Sequence, residues 1–128
     1  MKNLILFLLF PIVTYSQSYV SPIGFSTNES NKNKVIAYIK KDVKATYSAI
    51  GMDDPSTLRM MENENLKAFK ELLSIRGKNT SLLKKVEKTY CGIGMCNYST
   101  ILMMYKEQLR ASNEELVWWL KYFNYNIT

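Results

Sequence analysis

Beyond residue 33, apolar side chains recur at helical spacing through the chain and nowhere sustain alternation with a period of two. That pattern admits amphipathic helices and leaves no half-buried strand. In the first such stretch Val35, Ile36, Ile39, Val43, Tyr47 and Ile50 occupy an arc of roughly 120° on a helical wheel. Lys34, Lys40, Lys41 and Lys44 fall outside the arc, and Gly51 supplies a stop. Asp53-Asp54-Pro55 then reads as a helix start, with Asp54 or Ser56 as cap and proline in the first turn.

From there Leu58, Met61, Leu66, Phe69, Leu72, Leu73 and Ile75 carry a helical pattern to Arg76-Gly77. Asn63 and Asn65, weak helix formers, mark a point where it can kink or break. A third helix is predicted over 80–90, on Leu82, Leu83, Val86 and Tyr90 after a cap at Asn79 or Ser81. The glycines of Cys91-Gly92-Ile93-Gly94-Met95-Cys96 end it. Tyr98, Ile101, Leu102, Tyr105 and Leu109 define a fourth helix, and Ser112-Asn113-Glu114-Glu115 has the capping-box spacing that opens a fifth. Leu116, Trp119, Leu120 and Phe123 face the core from that last helix. The expected fold is all-α, a compact bundle of four or five short helices. With 128 residues, 47% of them hydrophobic, the chain suffices for one such domain, placed at 34–128.

The first 33 residues read differently. Lys2 precedes an apolar run from Leu4 to Phe10 that resumes at Ile12-Val13 and gives way to polar residues from Thr14. The run is shorter than the roughly 20 apolar residues a spanning helix needs. Residues 1–16 resemble a bacterial Sec-type signal peptide, with cleavage near Gln17, and the resemblance implies export into the periplasm or medium. Loss of residues 1–16 removes Lys2 and no acid, leaving 16 basic against 11 acidic side chains. Residues 17–33, rich in Ser and Asn, are expected to form a flexible leader.

Histidine is absent, which removes His-dependent triads and His-ligated metals. Cys91 and Cys96, flanking a glycine-containing turn in an exported chain, are read as a structural disulfide. Thiol redox motifs usually place two residues between the cysteines, whereas four stand here, and metal binding would need two more ligands. Gly92-Ile93-Gly94 follows a helix and lacks the third glycine of a dinucleotide-binding turn. Of the acids, Asp53/Asp54, Glu62/Glu64 and Glu114/Glu115 are adjacent only in sequence, which does not make a pair across a cleft. Neither catalytic residues nor a cofactor are assigned, and the chain is read as no enzyme.

Three features bear on binding. Lys32, Lys34, Lys40, Lys41 and Lys44 against Asp42, and Arg76, Lys78, Lys84, Lys85 and Lys88 against Glu87, are local basic surpluses. They suit an acidic protein or an anionic envelope component, and equally the solvated faces of amphipathic helices. Nucleic acid is the least favoured partner, since no recognition motif accompanies the charge. Trp118, Trp119, Tyr122, Phe123 and Tyr125 crowd the C-terminus. With Trp119 and Phe123 inward, Trp118, Tyr122 and Tyr125 form a fringe for a sugar, an interface or a partner, or close the end of the core.

Asn28, Asn79, Asn97 and Asn126 each begin an Asn-x-Ser/Thr sequon, for which helix capping is an alternative use. The reading is an exported, non-catalytic helical protein that binds a macromolecular partner. The alternative is a small-molecule or lipid carrier walled by Met60, Met61, Met103 and Met104, and an envelope-polymer-degrading enzyme comes third.

Overall fold

The computed structural model describes residues 18–125, with the side chains of 18–113, and among them it contains helices and no strand. Four helices follow in order: α1 Glu29–Ser48, α2 Pro55–Ile75, α3 Thr80–Gly92 and α4 Tyr98–Tyr125. Each begins at a side-chain cap. The carboxamide oxygens of Asn28, Asn79 and Asn97 accept from the backbone N–H of Asn31, Leu82 and Thr100 at 2.8, 3.1 and 2.9 Å, and Asp54 accepts from Thr57 at 2.9 Å. Three of the four sequon asparagines are therefore N-caps, and Asn126 lies outside the described residues.

Gly51 and Gly94, at φ 73° and 79°, end α1 and α3 in the left-handed region that disfavours other residues. In both turns the residue after the glycine closes a wider loop, Met52 N–H to the Tyr47 carbonyl and Met95 N–H to Tyr90, each at 2.9 Å. This pairing satisfies carbonyls the helix end would otherwise strand. Cys91 and Cys96 form a disulfide across the second turn. A loop that small contributes about 2 kcal/mol in the chain-entropy view.

α2 packs against both α1 and α4, and α3 packs against α4. α2 and α4 run in the same direction. The Asn65 carboxamide accepts from Ser99 N–H at 3.2 Å, and farther along both helices Lys106 pairs with Glu71. Val35, Ile39 and Val43 of α1, Ala68, Phe69 and Leu72 of α2, Leu83 and Val86 of α3, and Tyr98, Ile101 and Tyr105 of α4 form the core.

Four expectations are corrected. The stretch that reads as a flexible leader is docked: Pro22 and Phe25 are buried, Tyr19 and Ile23 pack on the core, and α1 begins at Glu29 rather than Lys34. Its polar composition conceals a few large residues that find partners in distant helices. The fourth and fifth helices are one, because nothing between Leu109 and Glu114 stops a helix. Ser112 turns its hydroxyl back to the Leu109 carbonyl at 3.0 Å instead of capping a new start. α2 continues through Asn65, which is buried, with its amide donating to the Met61 carbonyl at 3.1 Å while its oxygen holds the first turn of α4. Ile50, placed by the periodicity on the core face of α1, lies beyond the helix end and is 63% exposed.

Candidate functional site

Residues 18–28 cross the molecule as a strap. Tyr98 donates its hydroxyl to the Val20 carbonyl at 2.8 Å, and Ser21 donates to both carboxylate oxygens of Glu87 at 2.9 Å. One terminal nitrogen of Arg76 donates to the carbonyls of Pro22 and Phe25, both at 2.8 Å. Charge-assisted bonds of this kind are stronger than neutral ones, and they draw Arg76 out of the basic surplus to which its position in the sequence assigns it.

Beneath the strap lies a continuous aromatic centre. Phe25 meets Phe69 edge-on at 5.0 Å, Phe69 meets Tyr98 at 4.8 Å, and Tyr98 approaches Tyr19 and Tyr38 at 5.2 and 5.9 Å. The five rings come from the strap, α1, α2 and α4, so local density in the sequence does not reveal them. Tyr38 donates to the Cys96 carbonyl and so ties α1 to the disulfide turn. The Tyr19 hydroxyl is buried with no hydrogen-bond partner among the described residues.

Asp42 and Glu87 sit at the edge of this centre. Loss of solvation raises both carboxyls above their ordinary range, the Ser21 hydroxyl partly opposing the shift at Glu87. Burial, reinforced by Asp42, pushes Tyr38 up to about 12. Burial likewise raises Tyr19 and Tyr98, with Glu87 adding to both.

These are the two acids that interrupt the lysine runs after Lys32, and their inward turn leaves the outer faces of α1 and α3 to the lysines. Lys40, Lys41 and Lys44 on α1 and Lys84, Lys85 and Lys88 on α3 are all exposed, and among the described residues none has an ion-pair partner. Helical spacing places Lys40 with Lys44, Lys41 with Lys44, Lys84 with Lys88, and Lys85 with Lys88. Each such like-charge pair destabilises a helix by about 0.2–0.5 kcal/mol. The helix wheel foretells the exposure of the lysines, but not that Asp42, Glu87 and Arg76 are half-buried.

Grooves between the helices indent the described surface. One, about 520 Å³, lies between the strap, α1 and α2, over Phe25, Val35 and Phe69. A second, about 380 Å³, separates α2 from α4 and includes Met103, and a third, about 150 Å³, lies between α1 and α2 beside Lys40. None is lined by Asp42 or Glu87. Of the methionines in the carrier reading, Met60 and Met103 are 61% and 59% exposed, and Met103 alone lines one of these grooves.

Among the described residues no three acids or cysteines gather as metal ligands, and no helix is long and apolar enough to cross a membrane. The backbone of α4 carries Trp118, Tyr122 and Tyr125, whose side chains lie outside those described, as do residues 1–16. Compared with known proteins, the chain matches no family model, no curated protein and no solved structure.

Proposed function

We infer that this is an exported, non-catalytic helical protein whose outer α1 and α3 faces bind an anionic macromolecular component of the cell envelope. The observation that carries the reading is the sorting of charge. Lys40, Lys41, Lys44, Lys84, Lys85 and Lys88 face solvent with no acidic partner among the described residues, while Asp42 and Glu87 are half-buried. Such a surface adds long-range attraction for polyanions, and its internal repulsion is relieved when a polyanion binds. The disulfide supports an oxidising compartment, and the leader-like residues 1–16 support export.

The test is retention on immobilised heparin as the polyanion probe. The wild-type protein should elute at higher salt than Lys41→Glu/Lys44→Glu and Lys84→Glu/Lys88→Glu, and vesicles containing anionic lipid then separate a lipid partner from a polymer. Equal elution of all three proteins, or none retained at low salt, overturns the reading. The intact mass of the protein recovered outside the cytoplasm, expected to begin near Gln17, tests export separately.

A further inference from the structure

The groove between the strap, α1 and α2 is independent of the lysine faces, and its chemistry is of another kind. Its floor is the buried trio Phe25, Val35 and Phe69, and Ile36, Leu66 and Leu73, all half-buried, form its sides. The floor is held in place from below. Phe25 stands edge-on to Phe69, and Arg76 fixes the backbone carbonyls of Pro22 and Phe25. At about 520 Å³ the space falls within the range of small-molecule sites, roughly 300–1,000 Å³.

Two cations and one carboxylate, Glu29, stand at the lip, and the cations are not equivalent. Lys32 is paired with Glu29 at 2.9 Å, whereas Lys70 has no ion-pair partner among the described residues. An apolar trough with one unpaired ammonium at its edge is the complement of a molecule with an apolar tail and a single negative head. We propose that this groove binds a free aliphatic carboxylate, its chain against Phe25, Leu66 and Leu73 and its carboxylate on Lys70. Lys41, Lys44, Lys84, Lys85 and Lys88 line none of the grooves described above, so they suit polyanions and leave this ligand to the groove.

Calorimetric titration with dodecanoate, kept below its micellar concentration, tests the assignment, with dodecanol and dodecyltrimethylammonium as controls. Saturable binding of one dodecanoate per protein is expected, with methyl chemical-shift changes at Val35 and Leu66 and weaker binding of both controls. Lys70→Glu, a change at an exposed position, should weaken dodecanoate about tenfold. Lys41→Glu/Lys44→Glu should leave it unchanged while altering heparin retention. Absence of saturable binding, an unchanged Lys70→Glu variant, or equal affinity for the cationic amphiphile overturns the proposal, and none of these outcomes touches the polyanion reading.

Discussion

The strap and the turn between α1 and α2 are built from similar material and end in opposite places. Both are non-helical, both have a glycine in the left-handed region, Gly24 at φ 72° and Gly51 at φ 73°, and both set large apolar residues beside it. Yet Phe25 is 9% exposed, whereas Ile50 and Met52 are 63% and 47% exposed. The turn satisfies its backbone locally: the N–H groups of Ile50, Gly51 and Met52 all donate to carbonyls of the last turn of α1. The strap instead gives its carbonyls to Arg76 and Tyr98, partners between 51 and 78 residues away in the chain. Order in an irregular segment thus depends here on which distant side chains reach its backbone, and composition alone does not tell the two cases apart.

The largest effect that would break this contrast is on the apolar anchors themselves. Phe25→Ala should lower the unfolding free energy by about 3–5 kcal/mol, as removal of a buried aromatic does, while Ile50→Ala should stay within about 0.5 kcal/mol. Denaturant unfolding of the two variants checks both, and similar losses would mean the strap is no more a part of the core than the turn.

Removal of the tether comes next. Arg76→Met keeps an unbranched stem but strands two carbonyls, and a loss of about 2–3 kcal/mol is expected. Hydrogen exchange should show the opening confined first to residues 18–27. Exchange that rises equally in α2 would place the role of Arg76 in the helix rather than in the strap.

The smallest effect concerns Glu87. Its folded carboxyl is raised by loss of solvation, so its contribution to stability is complete below the unfolded value, about 4.3, and is lost as pH rises through the folded value. Glu87→Gln retains an acceptor for Ser21 and lacks the ionisation. Its melting temperature relative to wild type should therefore increase between pH 3.5 and pH 7, and a difference that does not vary with pH would show that the carboxylate is not desolvated.

What the sequence made legible is local. The caps at Asp54 and Asn79, the stop at Gly51 and the buried faces of α2 and α3 each follow from a few neighbouring residues, and the structure has them where spacing puts them. The features that escaped depend on pairing across the fold. Asn65 reads as a weak point in α2 because its partner, the Ser99 N–H, belongs to another helix. Ser112 reads as a cap because its spacing to Glu115 matches one, although an uninterrupted helix leaves no free N–H there to cap. Asp42 and Glu87 read as charges that offset lysines, and only the tyrosines gathered from the strap, α1 and α4 show them turned away. Tyr19 and Phe25 on either side of Pro22 were the one signal of the strap that the sequence held.

The connections that hold the strap also set an order in time. A chain made from its amino terminus presents Arg76, Glu87 and Tyr98 successively, and each arrives long after residues 20–25 have left the ribosome. Until the first turn of α4 has been synthesised, the strap has no complete place to dock. The same bonds that bury residues 20–25 in the finished protein therefore leave them undocked during synthesis.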